Sequence, residues 1–219
     1  MKTILLTGAS GGLGIKLATQ LLYDGNYVIL VYNSNESNVN NLHELYPDTS
    51  LVYQCDLRSE ESITNLYNQI KEKNLSIDCL INNAAIDHKS SIEDKNQETF
   101  RKVLDINTIA PFLLIKLFGK DIEDNDGTIV NISSDNAIDM YDEETLEYDV
   151  SKAGLNLITK IFSNKYKINS ICFGWLDTAM NDIPDDIKPM IDFVPFDKAI
   201  EEIIKLMDTK KSGECIIVR

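Results

Sequence analysis

Short β-branched runs alternate with longer amphipathic stretches along this chain. Near-continuous apolar runs at 2–7, 27–32, 51–55, 78–82, 127–133, 168–173 and 214–218 predict strands. Strands without polar alternation are buried on both faces, as in a covered parallel sheet. Stretches with helical periodicity at 12–24, 37–45, 59–73, 96–119, 147–164 and 197–208 predict the helices between them. Strand and helix in alternation imply right-handed βαβ crossovers. The pattern therefore predicts an α/β fold, a doubly wound parallel sheet of about seven strands with helices on both faces. No internal repeat, low-complexity linker or composition break interrupts it, so residues 1–219 read as a single domain.

Composition narrows the function classes. Apolar runs such as TILLTG, YVILVY and PFLLIKLF fall well short of the roughly 20 residues that cross a bilayer. The N-terminal MKTILLTGAS has a lysine and an apolar core, but it is too short for a signal peptide and runs into a glycine loop. It reads as the first strand of a soluble protein. The net charge of −14 argues against nucleic acid or an anionic membrane as partner, since both need a positive face. Cys55, Cys79, Cys172 and Cys215 form no CxxC pair and lie in or beside apolar runs. They read as buried reduced thiols, which fits a cytoplasmic protein. His43 and His88 have no neighbouring ligand candidates, so no metal site is expected.

The richest local signal is LLTGASGGLGIKLATQLL, where a strand ends at Thr7 and a helix opens near Gly12. Gly8, Gly11, Gly12 and Gly14 permit a tight turn and close backbone approach to a pyrophosphate, which the helix N-terminus would receive. A glycine cluster alone is often only a tight turn. In the first βα unit of a doubly wound sheet it becomes a dinucleotide-site candidate. The spacing is G-x-x-x-G-x-G and no Walker lysine follows, which disfavours a phosphate-transferring loop. Asp56 ends the third strand, and Asn82 and Asn83 end the fourth, at the edge where such sheets bind ligands.

These motifs resemble the classical short-chain dehydrogenase/reductase family over essentially the whole length. TGASGGLG is similar to its cofactor loop and NNAA to its N-N-A-G element, with Ala85 in place of glycine. YDVSK matches its Y-x-x-x-K signature, preceded by NISS; DINTIAPF resembles the segment carrying its fourth catalytic residue. FGWLDT resembles its P-G-x-x-x-T segment, with Phe173 in place of proline. The nearest likeness is to 3-oxoacyl-carrier-protein reductases and their paralogues. The resemblance implies a cofactor site formed by Gly8, Ser10, Gly12, Leu13, Gly14, Asn33, Asp56, Leu57, Asn83, Ala84, Ala85, Tyr148, Lys152 and Thr178. It implies a catalytic set of Asn107, Ser134, Tyr148 and Lys152.

Hydride transfer to a carbonyl leaves an oxyanion that must be protonated. Tyr148 and Lys152 are one helical turn apart and share a helix face. A free tyrosine titrates near 10, and a neighbouring ammonium would lower that value. Tyr148 is thus expected to act as general acid/base under the influence of Lys152. Taken alone, Y-x-x-x-K is more often an ordinary exposed helix pair; after GTIVNISS in a nucleotide-binding fold it is not. Ser134 is expected to orient the substrate oxygen, with Ser133 as the neighbouring candidate, since the spacing to Tyr148 is one residue longer than the family's. By resemblance, Asn107 supports a proton relay at a helix kink, Lys152 also binds the nicotinamide ribose, and Thr178 bonds the carboxamide. Trp175 could wall the substrate pocket.

The second strand ends YNSNES, with no acid at Tyr32, Asn33, Ser34 or Asn35 to repel a 2′-phosphate and no base to attract it. NADP is favoured on this ground, with NAD as the alternative. The reading is an NAD(P)-dependent oxidoreductase acting on a small carbonyl or alcohol. The second class considered is a nucleotide-binding sensor or scaffold of the same fold without turnover, which would not need the proton donor. APFLLIKLF and AGLNLITKIF leave apolar faces that, by resemblance, pair across a two-fold axis in a homodimer or homotetramer. The helix after Lys152 is about one turn shorter than in the family, and NDIPDDIKPMIDFVPFD forms a compact candidate lid.

Overall fold

A computed structural model describes residues 1–181 and 183–219. Seven strands form one parallel sheet: β1 (Thr3–Thr7), β2 (Tyr27–Tyr32), β3 (Ser50–Gln54), β4 (Cys79–Asn82), β5 (Thr128–Ser134), β6 (Ile168–Phe173) and β7 (Cys215–Val218). Their order is β3-β2-β1-β4-β5-β6-β7, and every neighbouring pair is parallel. The chain reverses its direction of travel between β1 and β4. That switch opens a crevice outside the carboxyl ends of these two strands.

Successive residues in a strand point to opposite faces, so each strand feeds two cores. Ile4 and Leu6 of β1 pack with Leu17 and Leu21 of α1 (Gly12–Tyr23), Val39 of α2 (Glu36–Leu45) and Ile203 of α7 (Phe196–Met207). Leu5 points the other way, to Ile63 and Leu66 of α3 (Glu60–Glu72) and Leu114 and Phe118 of α5 (Ala110–Asp124). α4 (Gln97–Leu104) precedes α5, and α6 (Leu146–Phe162) packs on β5 and β6.

The strands lie within a residue or so of the expected ranges. The helix expected over 96–119 differs in two ways. It continues to Asp124, because Gly119 is not a stop: a Cβ there would stand 2.8 Å from the Tyr166 ring, so glycine serves a close approach. It is also divided by a π-helical turn at Asp105–Ile109. Pro111 has no N–H to return to the carbonyl of Asn107 four residues earlier, so the regular ladder cannot run through this point.

Candidate active site

The glycine loop is shaped by contacts that leave no room for side chains. Gly8 has φ +65°, and a Cβ on it would meet the Ala84 Cα at 2.8 Å. A Cβ on Gly14 would lie 2.1 Å from the Gly8 carbonyl oxygen, and one on Gly12 3.0 Å from the Thr178 methyl. Asn83 ties this loop to the end of β4, donating from Nδ2 to the carbonyls of Thr7 (2.9 Å) and Gly8 (3.1 Å). The Thr7 hydroxyl accepts from the backbone N–H of Asn83 (3.0 Å) and Ala84 (3.1 Å). The result is a bare backbone cradle at the start of α1.

A cleft of about 840 Å³ runs from this cradle along the carboxyl edge of the sheet. Gly8, Ser10, Gly12, Leu13 and Gly14 line one end, with Asn33 and Ser34 after β2 and Asp56 and Leu57 after β3. Ala84, Ala85 and Asn83 form the wall at the switch point, and Thr178 faces Gly12. The Asp56 carboxylate is held by Arg58, which donates from Nε (2.9 Å) and a second guanidinium nitrogen (2.7 Å); these bonds hold its carboxyl below the usual range.

Ser134, Tyr148 and Lys152 meet at the other end of the cleft. Ser134 closes β5, where its side chain accepts from the Asn136 N–H at 3.2 Å, and it lines the cleft together with Tyr148. Ser133 points instead to the Lys152 carbonyl, 3.4 Å away. Lys152 is 2% exposed and donates from Nζ to the Ile132 carbonyl at 2.7 Å. Burial pulls its ammonium down from 10.5 to about 8.

The expected lowering of the Tyr148 pKa does not follow from the polypeptide alone. Burial of its hydroxyl holds it above the ordinary tyrosine value. The Ser134 hydroxyl opposes this, and the charges of Asp87, Asp149 and Asp135 add to it. Asn107 is fully buried in the π turn. Its Oδ1 accepts from the Ile86 N–H (2.9 Å), and its Nδ2 donates to the Ile86 carbonyl (2.8 Å) and to Ser151 Oγ (2.9 Å). Asn107 does not line the cleft; it fixes the backbone of the loop that does. Trp175 lines the cleft, 44% exposed, with the Lys89 amine 5.4 Å from its ring centroid. Asp182, in the candidate lid, lies outside the described residues.

Asp87 also lines this end, and Thr7 and Ser151 anchor its parts; none stood out in the sequence. Ser151 sits inside YDVSK, so its helix position beside the signature was the available signal. Among the described residues no cluster of potential metal ligands occurs, and no helix is long and apolar enough to cross a membrane.

The short chain dehydrogenase family model matches residues 2–186. The chain belongs to that family. It is an oxidoreductase, as its named relatives are. A 3-oxoacyl-acyl-carrier-protein reductase of Rickettsia conorii is 33% identical over 187 residues, covering 83% of this chain and 75% of that protein. A benzil reductase of Bacillus cereus, forming (S)-benzoin, is 30% identical and covers 99% and 92%. Among solved structures, 4-hydroxyisoleucine dehydrogenase complexed with NADH and succinate superposes with a TM-score of 0.88 at 28% identity, covering 98% of this chain and 97% of that one. Close packing against Ala84, the Gly8 carbonyl and Thr178 keeps Gly8, Gly12 and Gly14 as bare backbone, which suits a dinucleotide such as the NADH of that complex.

Proposed function

We propose that residues 1–219 form one catalytic unit that transfers a hydride between a nicotinamide cofactor and a small carbonyl or alcohol substrate. The observation that carries this reading is the convergence of Ser134, Tyr148 and Lys152 on the same cleft as the glycine cradle. Gly8, Ser10, Gly12, Leu13 and Gly14 would hold the pyrophosphate, Asp56 and Leu57 the adenine end, and Ala84, Ala85 and Thr178 the nicotinamide end. A bound nicotinamide supplies the hydride. Ser134 orients the substrate oxygen, Tyr148 exchanges its proton, and Lys152 holds the ribose and the proton path behind Tyr148. Asn107 keeps that path in place through Ile86 and Ser151.

NADP is the favoured cofactor, with NAD as the alternative. Asn33 and Ser34 line the cleft where the 2′-phosphate would sit, and Glu36 begins α2 beyond them. The substrate end carries Asp87, Asp142 and Glu144 against Lys89, while Asp139 is paired with Arg219. This balance favours an uncharged or cationic small molecule over an acidic carrier protein. Exposed Ile109, Phe112, Val150, Leu157 and Ile161 on the π turn, α5 and α6 support a homodimer or homotetramer.

The test is a panel of ketones, aldehydes and alcohols followed by cofactor absorbance, with the dissociation constants of NADPH and NADH measured in parallel. Tighter NADPH binding supports the favoured cofactor. Tighter NADH binding by a factor of about ten, or about 1.4 kcal/mol, would reverse it. No turnover across a broad panel, with cofactor bound, would remove the dehydrogenase reading.

A further inference from the structure

One buried charge pair stands beside the site without belonging to the proton chemistry. Glu147 immediately precedes Tyr148 at the start of α6, and its side chain is fully buried. Lys95, from the loop between β4 and α4, reaches it at 2.5 Å, and the lysine side chain is itself only 6% exposed. Lys95 also donates to the Glu144 carbonyl at 2.9 Å and to Ser90 Oγ at 3.4 Å. The Ser90 N–H gives a further bond to that carbonyl at 3.3 Å, and Thr99 Oγ1 reaches the second Glu147 oxygen at 3.5 Å.

The loop held this way carries Ile86, Asp87 and Lys89. The backbone of Ile86 is read by Asn107, while Asp87 and Lys89 line the substrate end of the cleft. A buried ion pair is a poor source of net stability, because desolvation cancels much of its attraction. It does select one arrangement of the two segments it joins, since slipping either would strand a charge. We propose that Lys95 and Glu147 are positioning residues that lock the β4–α4 loop to the first turn of α6. They thereby hold Tyr148 in register with the substrate wall. The catalytic consequence rests on the dehydrogenase reading above; the clamp itself does not.

The experiment compares the parent with Lys95→Met/Glu147→Leu, an apolar pair that strands no charge. The readouts are melting temperature, kcat against KM, cofactor Kd, and hydrogen exchange at the Ser90 amide. The expected result is an undiminished melting temperature, unchanged cofactor Kd, faster Ser90 exchange and kcat lower by about tenfold or more, as small misplacements of reacting groups produce. Lys95→Arg, which keeps the charge, should retain most of the parent kcat. A folded double variant with parental kcat overturns the proposal, and so does unchanged Ser90 exchange. Should the double variant not fold, Glu147→Gln takes its place, leaving Lys95 its Glu144 and Ser90 acceptors; parental kcat there overturns the proposal equally. Absence of turnover in the parent would remove the dehydrogenase reading and the catalytic role together, whereas Ser90 exchange still decides the clamp.

Discussion

The Nζ of Lys152 lies 5.5 Å from the centroid of the Tyr148 ring while donating to the Ile132 carbonyl at 2.7 Å. The two side chains meet across one turn of α6, but the lysine is anchored to β5 rather than to the phenol. Its near-complete burial is costly for the charged form. This single relationship ties the chemistry of the site to the stability of the fold.

Because burial lowers Lys152 from 10.5 to about 8, the unfolded chain takes up this proton first as pH falls. Folding therefore loses stability between pH 10.5 and about 8, and the loss is complete below that window. Lys152→Met should be more stable than the parent at pH 7, by up to about 3 kcal/mol. The difference should shrink as pH rises through 8 toward 10.5. Urea unfolding of both proteins at pH 7 and pH 10 measures this; a variant less stable than the parent at pH 7 contradicts it.

Ser133 and Ser134 should separate cleanly. Ser134 lines the cleft beside Tyr148, so Ser134→Ala should cut turnover by about 10²–10³-fold with cofactor Kd unchanged. Ser133 bonds the Lys152 carbonyl, so Ser133→Ala should lower stability by about 1 kcal/mol and leave most turnover. Steady-state rates and melting curves of both variants are the check, and the reverse pattern would move the substrate-orienting role to Ser133.

The apolar face of α6 bears on assembly. Leu157 and Ile161 are 58% and 60% exposed, and Gly154 lets α6 approach Thr108 of the π turn, beside exposed Ile109 and Phe112. Light scattering should give at least twice 24.7 kDa for the parent. Leu157→Glu, which places a charge in that face, should shift the mass toward the monomer without lowering the melting temperature of the fold by a comparable amount. A monomeric parent at micromolar concentration contradicts the assembly.

The fold was largely legible because its five inner strands are buried on both faces and leave near-continuous apolar runs; β2 and β6 carry their expected limits. The continuation of α5 past residue 119 was not legible, because the space Gly119 leaves for Tyr166 joins segments far apart in the chain. The Tyr148 and Lys152 pairing could be read from spacing, since both lie on one helix. Its electrostatics could not, because the burial that chiefly raises Tyr148, and the charge of Asp87 from the β4–α4 loop that adds to it, come from tertiary packing. The Lys95 and Glu147 contact spans 52 residues and has no local signature. Asn83 was read as a cofactor contact, and the structure adds that it lashes the glycine loop to β4.

The central claim is that Tyr148 is the proton donor for hydride transfer in this cleft. Tyr148→Phe keeps the ring and removes only the hydroxyl, so the most direct measurement is its single-turnover rate with saturating cofactor on any carbonyl substrate the parent reduces. The account predicts a loss of roughly 10²–10⁴-fold with cofactor Kd and melting temperature near the parent's. A variant that transfers hydride at the parental rate would contradict it.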